Sequence, residues 1–434
     1  MHRRPTRIDH MLRRSFTSSL APIAGALSAL LLLVAAVAAA DIPPPDERGP
    51  FNVGVTKFPA VMTGGRVTSM QVFYPTLAPA DEEFRYTVHA PAGAYQLRSP
   101  LGATENGAAL PLEFPLVVHD HGGQALGPDF QLVAQIPLHE LMASHGFVTV
   151  VALHSSDAVT RVRDLSVVID VMLDRSANPD DLLSGSIDPG RVGISGISAG
   201  GGAAIGAAGG WAANGIAADP RIKAMALYEP AVRSLNDART IAIPYLVMGG
   251  LQNRTGLAVP ALFDATVLAM PRIYVLTPSA THFNYIAGMA AEIDETREQA
   301  LLADPTLPEP LTTLTTSNAA AARAYEIWNW GEILLPQLGP GVGSGRNFCD
   351  RVGVSSVRSL DLDGDGFTDS PPLMLDDPLL TLGRAPSAEV MVPLIKLYTV
   401  SFWKAFLEGD RRYLAYLTPG YAKRNELEAI VTIE

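Results

Sequence analysis

Apolar and polar positions along this chain fall into short blocks of two periods. "RVTSMQVFYP" alternates polar and apolar residues, the pattern of a half-buried strand. "PLVVHD", "FVTVVAL", "RVGISG", "IKAMALYE", "IPYLVMGG" and "RIYVLTP" are brief apolar runs of the kind a fully buried strand shows. Between them lie segments with helical spacing. "HELMASHG" stops at Gly146, a C-cap candidate, and "VTRVRDLSVVIDVMLDR" reads as an amphipathic helix. "AGGGAAIGAAGG" fits a helix packed tightly on a sheet, although its glycines weaken it intrinsically. Strands alternating with helices predict an α/β protein with a mostly parallel central sheet flanked by helices on both faces.

The pattern changes over residues 286–382, where an Ala-rich helix candidate, "SNAAAARAYEIWNW", precedes a loop rich in Gly and Asp. This stretch reads as an insertion or small subdomain between a core at 41–285 and a closing segment at 383–434. The closing segment, "VPLIKLYTVSFWKAFLEGDRRYLAYL", predicts one long amphipathic helix. Asp41 to Gly49 is Pro-rich and reads as extended.

The first forty residues form a separate object. Arg3, Arg4, Arg7, Arg13 and Arg14 precede an apolar run from Ala29 to Ala40 that ends in small residues. That layout predicts a secretory signal at 1–40, and the run is short for a bilayer span of about 20 residues. The expected product is secreted, extracellular or periplasmic, with no stable membrane span after cleavage; an uncleaved anchor is the alternative. Cys349 is the only cysteine, so no intrachain disulfide forms and no lipid-modified cysteine follows the leader. Its surroundings, "RNFCDRV", give it no nucleophile context beyond two arginines. A net charge of −12 argues against nucleic acid as a partner, and 48% hydrophobic residues allow a sizeable core. Oligomeric state is not readable from these features.

Chemistry concentrates at "RVGISGISAGGG". Here a G-x-S-x-G turn follows a strand candidate and opens a helix candidate, the context in which such a serine is a nucleophile. Ser198 is that serine. A hydroxyl needs a base to take its proton. His282, in "TPSATHFNY" just after a strand candidate, stands downstream as the chain order requires. "VVHDHGGQ" ends a strand in His121-Gly122-Gly123. Backbone N–H groups of Gly123 and of Ala199 are the candidate oxyanion donors. His119 and His121 lack a third ligand nearby and read as structural or pocket-shaping residues.

These segments resemble the secreted α/β-hydrolases of the dienelactone-hydrolase-like group, which includes bacterial cutinase-type polyester hydrolases and the platelet-activating-factor acetylhydrolases. The resemblance is carried by "FPLVVHDHGGQ", "LMASHGFVTVV", "DPGRVGISGISAGGGAA", "DPRIKAMALYEPA", "IPYLVMGG" and "TPSATHF", and by "YTVSFWKAFLEGDRRYLAYLTP" near the end. It implies the α/β-hydrolase fold and a serine carboxylic-ester hydrolase working through an acyl-enzyme. The substrate would be a small-molecule, lipid or polymeric ester. In the bacterial members the triad acid follows the strand that here reads "YLVMGG", which falls on or near Asn253, and no carboxylate stands between Thr240 and Phe263. The acetylhydrolases place their acid one strand earlier, which falls on Glu229 in "AMALYEPA". The implied triad is therefore Ser198–His282–Glu229. Asn253 and Asp264 remain alternatives, and a catalytically degraded scaffold acting as an exported binding protein is the competing reading.

"DLDGDGFTD" adds a second motif. Asp361, Asp363, Asp365 and Asp369 stand at positions 1, 3, 5 and 9 of an EF-hand-type loop, with Gly366 at the turn and the Phe367 carbonyl at position 7. Position 12 is Pro372, so a closing carboxylate would come from Asp376 or Asp377. The expectation is structural Ca²⁺ in the insertion and no cofactor for catalysis. Trp328 and Trp330 are candidate lining residues if the insertion borders the active site.

Overall fold

The structure is a computed structural model that describes residues 42–90, 93–122, 135–153, 157–232, 235–250, 254–277, 280, 285, 388–426 and 429–434. The leader, the insertion and the calcium motif lie outside them. The chain divides into two compact units, Met1–Pro43 and Pro44–Glu434; the described architecture is that of the second.

Its centre is a ten-stranded mixed sheet. In chain order the strands are β1 (Asn52–Val61), β2 (Val67–Thr76), β5 (Thr104–Glu105), β6 (Phe114–Asp120), β7 (Val148–Ala152), β8 (Ile187–Ile197), β9 (Ile222–Tyr228), β10 (Tyr245–Gly250), β11 (Arg272–Thr277) and β12 (Ile430–Ile433). β3 (Arg85–Ala90) and β4 (Gly93–Arg98) form a separate hairpin. The spatial order is β12-β11-β10-β9-β8-β6-β7-β2-β1-β5. β7, β6, β8, β9, β10 and β11 run parallel; β2 and β12 flank this block antiparallel. Every residue of β6 and β7 is buried, as their unbroken apolar runs require of strands covered on both faces.

The helices are α1 (Ile136–Ser144), α2 (Ala158–Ala177), α3 (Ala199–Gly209), α4 (Leu235–Ala238), α5 (Arg254–Ala265), α6 (Ala388–Trp403) and α7 (Pro419–Asn425). Alternate residues of one strand serve opposite faces. Val148, Val150 and Ala152 of β7 join a core with α2 and α3, whereas Val151 joins Phe73, Ile136 and Ala143 on the α1 side. Asp157 caps α2 by accepting from the Thr160 amide (2.8 Å).

Chain direction reverses at β6. From β6 the chain goes outward to β7, then returns past β6 to β8 and continues the other way. Open α/β sheets bind ligands at such a switch point, outside the carboxyl ends of the strands. The register places Asp120 beside Gly196 and Ile197 beside Tyr228, so β6, β8 and β9 end at one level.

Two expectations are corrected. The closing segment is not one amphipathic helix. α6 runs into a π-helical turn (Lys404–Glu408), stops at Gly409 with φ 89°, and gives way to a 3-10 turn (Arg411–Ala415) and α7. Gly adopts that left-handed conformation without a Cβ penalty, so it ends the helix where composition alone suggests continuation. Nor is this helix amphipathic: it is buried on nearly every side from Met391 to Ala405, with Trp403 fully buried. Val390–Glu408 is long and apolar enough to cross a membrane, a test that the core helix of a globular domain also passes. The second correction concerns the Pro-rich start. It turns at Pro44–Glu47, and its Glu47 carbonyl meets His145 Nε2 (2.8 Å) at the end of α1.

Candidate active site

Ser198 stands between β8 and α3 with φ 56° and ψ −122°, a conformation that non-glycine residues rarely adopt. The neighbouring glycines make it possible. A Cβ at Gly196 would collide with the Gly200 carbonyl, and one at Gly200 with the carbonyls of Asp120 and His121. The turn is pinned by Ser198 N–H donating to the Tyr228 carbonyl (3.1 Å) and by Ala231 N–H donating to the Ser198 carbonyl (2.8 Å). The side chain is half-buried. Ala199 opens α3, where the first amides have no partner within the helix and face whatever lies beyond the helix end.

Glu229 follows β9 directly. It is fully buried and has φ 45°. Among the described residues only Asn106, Ser198 and Glu229 are non-glycine residues with positive φ. Asn tolerates that region because its short amide bonds locally, and Asn106 accepts from Thr56 Oγ1 (2.7 Å). Ser198 and Glu229 have no such excuse, and both sit at the carboxyl ends of neighbouring strands. Glu229 Oε1 accepts a short hydrogen bond from the Gly250 amide at the end of β10. Gly250 in turn lies against Ala280: a Cβ there would collide with the Ala280 carbonyl. The negative charge of Glu229 adds to burial in pushing the Tyr274 and Tyr285 hydroxyls well above their ordinary range, which keeps both neutral. The Tyr285 hydroxyl donates to Thr277 Oγ1 (3.2 Å). Tyr285 thus lies within electrostatic reach of Glu229, and Ala280 packs on the Gly250 whose amide Glu229 binds.

β6 supplies a third component. His119, Asp120 and His121 are all buried. His119 Nδ1 meets Ser195 Oγ (2.9 Å), tying β6 to β8. Burial lowers its pKa to about 4; the Asp120 charge opposes that shift and the Arg161 charge adds to it. His119 is thus neutral at pH 7. Its ring stands edge-on to His139 with centroids 5.0 Å apart, and His139 stacks on Phe73. His121 Nδ1 meets the Gly122 carbonyl (2.8 Å). The pair expected to be structural or pocket-shaping lies buried within the fold.

Asp120 points the other way, into a fully buried ion pair with Arg161 of α2. Arg161 Nε donates to Asp120 Oδ2 (3.1 Å), and Nη1 to the Gly122 carbonyl (3.1 Å). Nη2 makes short bonds to Asp120 Oδ1 and to the His121 carbonyl. Sequence reasoning missed this pair. Asp120 could have been flagged as a carboxylate ending a buried strand; Arg161 carried no signal, being one of several charges on an amphipathic helix.

Asp264 stands apart from Ser198. It is exposed in the last turn of α5, beside the start of β11, where the Phe263 carbonyl accepts from Arg272 (2.6 Å). Arg272 opens β11, so Asp264 stands by the amino ends of the parallel strands, whereas Ser198 follows the carboxyl end of β8. His282, Gly123 and Asn253 lie outside the described residues, as do Asp361, Asp363, Asp365, Phe367 and Asp369. Among the described residues no group of three or more metal-ligating side chains occurs. Compared with models of known protein families and with curated proteins, the chain matches none.

Proposed function

We propose that this chain is a secreted serine hydrolase of the α/β-hydrolase type that cleaves carboxylic esters. Ser198 Oγ attacks the ester carbonyl while His282 takes its proton. The tetrahedral oxyanion is met by the N–H groups of Ala199 and Gly123. Collapse expels the alcohol, which receives the proton from His282 and leaves an acyl-Ser198 ester. Water, deprotonated by His282, then releases the acid and restores the enzyme. Glu229 orients His282 and supports its positive charge.

One observation carries this reading: Ser198 and Glu229 are strained residues side by side at the carboxyl ends of β8 and β9. Strain of this kind costs on the order of 1–3 kcal/mol per residue and persists where the surroundings over-determine it, typically at functional sites. Support for Glu229 over Asn253 comes from its full burial and from the link through Gly250 to Ala280, two residues before His282. A buried carboxylate here has a role that a strand-end surface glutamate does not.

The test is hydrolysis of p-nitrophenyl butyrate by the chain lacking residues 1–40. Wild type is expected to be active, Ser198→Ala inactive, and Glu229→Gln reduced by roughly 10²–10⁴-fold, as when a triad carboxylate is neutralised. Full activity of Glu229→Gln would assign the acid elsewhere. Wild type inert towards short and long esters alike would favour a non-catalytic binding scaffold.

A further inference from the structure

We infer that Arg161 is a positioning residue of the active site, fixing the end of β6 against the start of α3 so that the Ala199 amide of the nucleophile turn keeps its geometry. The inference rests on the hydrolase reading above.

Four of the five N–H donors of this guanidinium are engaged, and all of them hold the segment 120–122: the Asp120 carboxylate twice, the His121 carbonyl and the Gly122 carbonyl. Two of these acceptors are backbone, so the contact sets the chain path as well as neutralising a charge. The same segment touches the nucleophile turn, since the Asp120 and His121 carbonyls occupy the space a Cβ of Gly200 would need. Arg161 thus sets the spacing between the chain leaving β6 and the Ala199–Gly200 turn.

Placement of the arginine also argues against a purely stabilising role. It lies in the first turn of α2, where the helix dipole disfavours a cation. A buried ion pair is on average no more stabilising than an apolar pair of the same shape. An arginine kept there against the dipole, with a planar fork matched to a carboxylate and two carbonyls, fits a demand for geometry.

The experiment compares wild type, Arg161→Lys and Arg161→Met in the chain lacking residues 1–40. Readouts are kcat and KM on p-nitrophenyl butyrate, labelling of Ser198 by a fluorophosphonate, the Ki of a trifluoromethyl ketone that forms a tetrahedral adduct, and melting temperature. Lysine keeps the charge but not the fork. We expect kcat to fall about 10–100-fold in folded Arg161→Lys, with KM within about twofold and Ki rising in step with the loss in kcat/KM. A folded Arg161→Lys or Arg161→Met with kcat within twofold of wild type overturns the inference, as does a loss of kcat that only tracks the unfolded fraction. Should neither variant fold, the same ratios are read in Asp120→Asn, which loosens the clamp while leaving the carbonyl bonds available. A selective fall in kcat and a weaker ketone uphold the role, and unchanged values overturn it. Wild type that neither turns over ester nor takes label removes the hydrolase reading and this inference with it. Labelled wild type beside an unaffected variant removes this inference alone.

Discussion

At the scale of single residues, strain and close approach define the site. Ser198 holds φ 56° because the strand, the turn and α3 leave it no other path. Glycine enters that region freely, whereas alanine does not. Ser198→Gly is therefore expected to be more stable than Ser198→Ala by about 1 kcal/mol, although both are inactive. Thermal or urea unfolding of the two variants measures the difference, and equal stabilities would remove strain from the account. Gly200 makes the complementary case. Adding a methyl group forces it into the Asp120 carbonyl, so Gly200→Ala should lose about 1–3 kcal/mol and part of the activity. The G-x-S-x-G spacing was legible in the sequence because it encodes this close approach directly. The burial of Glu229 was not, because a strand-end glutamate looks the same in the sequence whether it faces solvent or the interior.

At the scale of elements, one buried carboxylate holds the β3–β4 hairpin to the core. Glu140 of α1 accepts from the Tyr86 hydroxyl (2.6 Å) and Ser99 Oγ (2.7 Å) on Oε1, and from the Leu101 amide (2.7 Å) on Oε2. Burial outweighs these bonds and raises its pKa to about 7. A carboxyl whose pKa is raised on folding stabilises fully below its unfolded value near 4.5. That contribution is lost as pH rises towards 7. Glu140→Gln should remove this pH dependence, and Tyr86→Phe should loosen the hairpin selectively, by about 1 kcal/mol or more. Hydrogen exchange of the hairpin amides, compared at pH 5 and pH 8, tests both; equal protection at the two values would contradict the burial account. The closing helix teaches a related lesson. Its apolar positions were legible, but its break at Gly409 and the edge strand β12 beyond were not. A single glycine is a weak signal until a packed neighbour requires its φ, and β12 is only four residues long.

At the scale of the molecule, buried histidines set the response to acid. His119 and His145 are lowered to about 4, and His139 well below its ordinary value, each chiefly by burial. A histidine whose pKa falls on folding contributes stability that is complete above about 6.5 and lost as pH drops through its folded value. Three such groups outweigh the opposite trend from Glu140. The melting temperature is therefore expected to fall between pH 6.5 and pH 4, more steeply in Glu140→Gln than in wild type. A flat profile would show that these rings are solvated. The calcium motif belongs to the same scale. We propose that Ca²⁺ orders the insertion through Asp361, Asp363, Asp365, Asp369 and the Phe367 carbonyl. Ca²⁺ at about 100 times its dissociation constant should then add about 2.7 kcal/mol of stability. EDTA or Asp363→Ala should abolish the gain, and no shift with Ca²⁺ would discard the site.

The sequence by itself determined what is local or periodic. Apolar runs broken by turn residues specified the strands of the parallel block, because a strand covered on both faces must be apolar throughout. The spacing of glycines around Ser198 specified a tight strand-to-helix turn. Only the tertiary structure decided which distant groups share a space. It placed exposed Asp264 by the amino ends of the parallel strands, away from Ser198, and buried Glu229 at the carboxyl end of β9, hydrogen-bonded to the Gly250 amide. It also joined Arg161 to Asp120, forty-one positions apart, at the switch point of the sheet. The physical reason is that periodicity reports which side of an element is buried. The partner met inside depends on strand order and register, which no window of sequence contains.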